Sequence, residues 1–224
     1  MRMMQFSDSM FPVGSFSFSN GLESAVAQGI VTGGPSLREF VLSAAHQARR
    51  ATVSPYSQRT GGAAAGDFSA ILAADHAVIE RKLNEEARTM STRMGKKLAE
   101  LGGRLAGETL FNKWLAAIAS GGETPGTYPV GLGIAFAEMG SPEEDAFTVN
   151  QYGVAMTLLG AALRIVRVDH LTTQEILFEV NQSAGREYAA VRDYGLDDMS
   201  NFAPPMIDIL AAVHVKAHVR MFMN

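Results

Sequence analysis

The sequence predicts an all-α fold, a single-domain helical bundle covering residues 1–224 with roughly eight to ten helices. Three observations predict it. Apolar residues recur at 3.6-residue spacing in one segment after another, helix starts and stops alternate at helix-length intervals, and the two-residue alternation of a half-buried strand is nowhere sustained. With 224 residues and 47% hydrophobic content, the chain can bury a substantial core. Neither an internal repeat nor a linker divides it.

The opening stretch Asp8-Ser9-Met10-Phe11-Pro12-Val13-Gly14-Ser15-Phe16-Ser17-Phe18-Ser19-Asn20-Gly21-Leu22-Glu23 carries serines and phenylalanines where a core helix would carry aliphatics. Pro12 fixes its own φ and steers Phe11 away from the helical region, Gly14 and Gly21 admit turns closed to other residues, and Asn20-Gly21 is a strong turn signal. Two readings stand: a loop whose phenylalanines plug the core, or a surface shaped for recognition. Further on, Gly33-Gly34-Pro35-Ser36 stops one segment and starts the next, with Ser36 as N-cap and Glu39 completing a capping box for a helix over 36–51. Ser54-Pro55 and Gly61-Gly62 predict a break within 52–66, after which Asp67 caps a helix reaching at least Arg81. Over 82–101, Leu83, Ala87, Met90, Met94 and Leu98 form one stripe, and Gly102-Gly103 ends that helix.

A helix over 108–120 surrounds the single tryptophan, Trp114, and the glycine-rich stretch 121–126 is a loop. Pro129 suits the first turn of the next helix, which ends near Gly140. Ser141-Pro142-Glu143-Glu144 supplies a cap, a proline and carboxylates suited to a helix N-terminus, and the apolar run 149–168 marks the central, most buried helix. Arg164 and Arg167 lie in that run and would be costly to bury unpaired, so they belong where the helix emerges. Thr172 or Thr173 caps the following helix. Phe202-Ala203-Pro204-Pro205-Met206 is a rigid apolar entry to a last helix over 206 to about 221, and most of the 12 methionines sit at core spacing as gap-fillers.

A formal charge of −4 and a pI near 5.7 argue against phosphate-neutralising contacts, so no nucleic acid partner is expected. The absence of cysteine removes disulfides, thiolate metal sites and cysteine nucleophiles, and favours a reducing compartment. The apolar residues at the N-terminus break before forming a signal-peptide core, and no stretch offers about 18 uninterrupted apolar residues. The expectation is a cytoplasmic chain that does not span a membrane.

Catalytic motifs are missing. Gly95-Lys96-Lys97 lacks both the upstream glycine and the hydroxyl residue of a phosphate-binding loop, Gly131-Leu132-Gly133 lacks the third glycine of a dinucleotide site, and no G-x-S-x-G occurs. His214 and His218, spaced i, i+4, are the strongest metal-like feature, since one helix face would present both imidazoles. Two ligands make no site, Val215-Lys216-Ala217 supplies no glutamate between them, and Asp208 lies off the histidine face. A metal-binding protein or metal-dependent enzyme built on this pair is the alternative reading; histidines that pack or hydrogen-bond are the other. His46, His76 and His170 are isolated surface or capping residues.

The opening stretch resembles the N-terminal signature of the UreF family of urease accessory proteins, approximately P-x-G-G-[FY]-x-x-S-x-G-L-E, matched by Pro12, Gly14, Phe16, Ser19, Gly21, Leu22 and Glu23. Three further blocks agree in order: 88–98 with Met94-Gly95, Tyr128-Pro129-Val130 with Gly133, and Phe202-Ala203-Pro204 leading to His214, Arg220 and Phe222. Ser15 stands where a second glycine is usual, Thr127 where a histidine is common, and His218 where an aromatic is frequent, which weakens the metal reading. The resemblance implies an all-helical, non-enzymatic chaperone without a cofactor. Its implied partners are a UreD/UreH-type accessory protein, a UreG-type GTPase and apo-urease, with the chain forming a homodimer inside the complex and nickel as the cargo. It also implies two partner surfaces. Gly14, Phe16, Ser19, Gly21 and Glu23 would face the GTPase, with Phe16 and Leu22 anchoring the motif in the helical body. His214, Arg220 and Phe222 would secure the other accessory protein. No arginine is an obvious finger for GTP hydrolysis, so holding the GTPase in one conformational state is favoured over direct catalysis.

Overall fold

Capping and packing residues set the helix boundaries seen in the computed structural model, which describes residues 2–8, 10–63, 68–107, 109–120, 122–199, 206–215 and 220–223, with side chains at 2, 3 and 50–63 excepted. Among the described residues the helices are α1 (Arg2–Ser7), α2 (Leu22–Ala27), α3 (Gly34–Ala63), α4 (Phe68–Glu80), α5 (Glu85–Ala106), α6 (Leu110–Ala119), α7 (Tyr128–Glu138), α8 (Glu143–Ile165), α9 (His170–Ala189) and α10 (Met206–His214), joined by two short 3₁₀ turns at Ser15–Ser17 and Leu196–Asp198. No strand occurs among them. The predicted all-α class is correct.

Several boundaries differ from the sequence reading, each for a local reason. Asn84, not Lys82, opens α5: its side chain accepts the Ala87 N–H at 2.7 Å. Gly102 and Gly103 do not stop that helix. They let α6 approach, since a Cβ at Gly102 would meet the Phe111 ring at 2.6 Å and one at Gly103 the Asn112 side chain at 2.3 Å. The helix ends instead at Gly107, whose φ of +78° is left-handed. Asp169 caps α9 by accepting the Thr172 N–H, where Thr172 or Thr173 was expected. α3 starts at Gly34, so Ser36 serves the preceding turn and accepts the N–H of Thr32 and Gly33. It then runs through Pro55 without the expected break, because one proline removes only one hydrogen bond of a 30-residue helix. Pro142 rather than Ser141 occupies the N-cap of α8. Asp67 and 202–205 lie outside the described residues.

Two apolar clusters fill the interior. The first joins the opening aromatics Phe6, Phe11 and Phe18 to Leu98, Phe111, Trp114, Leu132 and Phe136. The second packs Leu22, Leu37, Val41, Leu158, Leu159, Ile176, Leu210 and Phe222 around α8, which lies between α3 and α9. α8 is therefore central, as predicted, with Arg164 exposed in its last turn and Arg167 exposed beyond it. The most buried helix is α7, where every residue from Pro129 to Phe136 is buried.

One carboxylate organises the approach to α7. Asp75 is fully buried on α4 and accepts hydrogen bonds from the Trp114 indole N–H, the Thr124 and Thr127 hydroxyls, and the backbone N–H groups of Gly126 and Thr127. Burying an ionised carboxylate is tolerable only when its lone pairs are met in this way. Thr127, which departs from the UreF pattern, is part of the same network.

Candidate partner-binding site

The signature begins with a left-handed Gly14 (φ +87°) that leads into the 3₁₀ turn carrying Phe16. Left-handed Asn20 (φ +50°) and Gly21 (φ +80°) then turn the chain into α2. Gly21 is doubly constrained: a Cβ there would stand 3.0 Å from the Ile207 carbonyl oxygen and 3.1 Å from the Ala211 nitrogen, so its bareness seats α10 against the turn. Leu22 is buried, as expected. Phe16 is not an anchor, being 70% exposed, whereas Ser19 is completely buried and shapes the turn from inside.

Glu23 lies in the first turn of α2 and reaches across to the end of the described chain. Its carboxylate accepts the Met221 N–H at 2.8 Å, the Phe222 N–H at 3.1 Å and the His214 Nε2 at 2.8 Å. Burial pushes the Glu23 carboxyl up, but the Met221 amide, His214 and the Phe222 amide together hold it below its usual value. The other imidazole nitrogen, Nδ1, faces Glu86 of α5 at 3.2 Å, and Arg220 donates to Glu86 at 3.3 Å. Glu23 and Glu86 thus flank the His214 ring, which is 1% exposed, with Arg220 at the partly exposed edge of the cluster.

Segment 220–223 forms a strap held to the signature. α10 stops at His214, short of the predicted 221, and the strap that follows the undescribed residues 216–219 is not helical. Met223 donates to the Ser17 carbonyl at 2.8 Å, and the buried Phe222 ring lies under the Arg164 guanidinium, 5.3 Å from centroid to Cζ. Arg164 also donates to the Phe16 carbonyl at 3.4 Å. The residues that the sequence divided between two partner surfaces therefore meet: Glu23, His214, Arg220 and Phe222 contact one another or a shared neighbour, with Glu23 and His214 turned inward and Arg220 partly exposed. Beside the exposed Arg164 and Arg220, this joint offers solvent an apolar set, with Met10, Phe16, Met221 and Met223 each about half exposed or more.

The metal alternative fits poorly here. In the described arrangement both His214 nitrogens face carboxylates, and His218 lies outside the described residues. Among the described residues no group of three or more histidine or acidic side chains has the geometry to hold a metal ion. His46 and His76 are surface residues, His46 3.4 Å from Glu187 and His76 Nε2 3.0 Å from the Glu123 carbonyl; His170 is exposed at the start of α9.

Sequence reasoning missed Glu86 and the role of Arg164. Glu86 looks like any acidic residue favoured by a helix dipole in a first turn, and only its burial marks it as a ligand of His214 and Arg220.

A family model for UreF matches residues 31–181. Over its full length the chain is 50% identical to urease accessory protein UreF 1 of Brucella melitensis biotype 1, covering 92% of that protein. It is 50% identical to urease accessory protein UreF 2 of Brucella canis, covering 91%, and 46% identical to urease accessory protein UreF of Yersinia enterocolitica, covering 97%. The chain belongs to the UreF family. Glu86 and Arg164 fall inside the span matched by the UreF family model, while the signature and the strap flank it; all of them fall within the full-length similarity to the two Brucella proteins and the Yersinia protein. No described helix is long and apolar enough to cross a membrane.

Proposed function

We propose that this UreF-family chain is a non-catalytic accessory protein of urease maturation. In this reading it joins a UreD/UreH-type protein and, as a homodimer on apo-urease, recruits a UreG-type GTPase for delivery of nickel, the cargo. The observation that carries the reading is the fusion of signature and strap into one surface. Glu23 and His214 are engaged internally, and Phe16, Met10, Met221 and Met223 are left outward as an adaptable apolar contact. The GTPase docks on the Phe16 side. The second accessory protein docks on the strap and the outer face of α10, where Met206, Ile209 and Val213 are exposed at helical spacing.

The chain holds its GTPase in one state rather than lending it a catalytic arginine. Arg164 is engaged with the Phe16 carbonyl and the Phe222 ring, and Arg220 with Glu86, so neither is poised as a finger. The test is a pull-down with purified chain, its accessory partner and the GTPase, with and without GTP. Phe16→Ser, a change at an exposed side chain, is expected to weaken GTP-dependent retention about tenfold or more with unchanged circular dichroism. Retention equal to that of the parent in Phe16→Ser combined with Met221→Ser and Met223→Ser overturns the assignment.

A further inference from the structure

Beneath the signature lies a cleft of about 360 Å³, within the usual range for small-molecule sites. Its walls are mostly apolar, with Phe6, Met90 and Met94 among them, and the polar side chains that interrupt them include Asp8, Asn150 and Arg164 as well as Lys82, Ser91 and Tyr128. The Ser91 hydroxyl is buried without a hydrogen-bond partner, in a residue only 3% exposed. Neither the Lys82 ammonium nor the Tyr128 hydroxyl has a hydrogen bond or ion pair among the described residues. A buried polar group without a partner is costly, so the Ser91 hydroxyl calls for a partner, and the half-buried Lys82 and Tyr128 side chains add two donors along the same cleft.

The charge inventory narrows that acceptor. Asp208 acts on Lys82 through its charge, but its oxygens already accept the Gln47 and Asn84 amides. Arg164, the other cationic side chain of the lining, is held by Phe16 and Phe222. Among the described residues of the lining, Lys82 and Arg164 against Asp8 leave a net charge of +1, which calls for one negative charge, and apolar walls call for hydrocarbon, which disfavours a strongly hydrated phosphate dianion. Burial also lowers the pKa of Lys82, and an anion beside it would restore the charged form.

We propose that this cleft binds a linear medium-chain carboxylate, its head group held by the Lys82 ammonium and its chain laid along Phe6, Met90 and Met94. Phe16 and Arg164 belong both to this lining and to the partner surface described above, but the proposal rests on Lys82, Ser91 and the apolar walls. It is tested by isothermal titration of the full chain with sodium decanoate, decanol and acetate, for the parent and for Lys82→Gln and Lys82→Arg. Saturable one-to-one decanoate binding is expected, about tenfold weaker in Lys82→Gln and for decanol, retained in Lys82→Arg, and undetectable for acetate. Decanoate binding that is absent from the parent, unchanged in Lys82→Gln, or matched by decanol overturns the proposal.

Discussion

Replacing Glu23 with alanine removes three contacts at once: the Met221 N–H, the Phe222 N–H and His214 Nε2. Hydrogen bonds to a charged group contribute about 1.5–3 kcal/mol when buried. Glu23 is partly open to solvent, so about 1 kcal/mol each is the better figure, or about 3 kcal/mol in all. The buried Phe222 ring contributes about 2 kcal/mol of its own and is untouched by the change. The strap should therefore loosen rather than be abolished, its docked-to-undocked ratio falling about a hundredfold at 1.4 kcal/mol per factor of ten. Amide hydrogen exchange reads this directly. Met221, Phe222 and Met223 should exchange about a hundredfold faster in Glu23→Ala, while α8 keeps its protection. If those amides exchange at the parent rate, the carboxylate does not hold the strap. If α8 loses protection equally, Glu23 supports the whole fold and not a local clasp.

The same carboxylate sets a pH dependence. Because the folded protein holds Glu23 below its ordinary value of about 4.3, its contribution is fully present above that pH and is lost as pH falls through the lower folded value. The Met221 and Phe222 amide resonances should therefore shift together in that acidic window, and a shift of equal size in Glu23→Gln would exclude this cause. Two glycine substitutions should have opposite signs. Gly95→Ala would put a Cβ 2.1 Å from the Gly126 carbonyl oxygen and should lower the melting temperature by about 5–10 °C, whereas Gly153→Ala, with nothing within 4 Å, should raise it by about 2 °C. Equal effects in calorimetry would mean that close packing at Gly95 is not the reason for its glycine.

The helices were readable in the sequence because each announces itself locally, through stripes such as Met90, Met94 and Leu98 or a proline at the start of α7. What could not be read were choices made by residues distant in the chain. Gly102-Gly103 looks the same as a stop signal or as a landing place for Phe111, and Asp75 gives no sign that it will meet Trp114 and Thr127. The candidate site followed the same rule. The pattern singled out Glu23, His214, Arg220 and Phe222 as special residues, but their type and spacing say nothing about facing one another. The charged Glu23 and the imidazole of His214 suggested outward contacts, but both turn inward toward each other, while Arg220 stays partly exposed.

Glu23 and the strap amides it holds are 198 and 199 residues apart. A ribosome makes the signature early and the strap last of the described segments, and domains begin folding from the N-terminal side during synthesis. A growing chain can therefore build much of its helical body while Glu23 still lacks the amides it will hold. The apolar joint of Phe16, Met221 and Met223 comes into being only once the strap has emerged, so translation itself sets the moment at which that surface is complete.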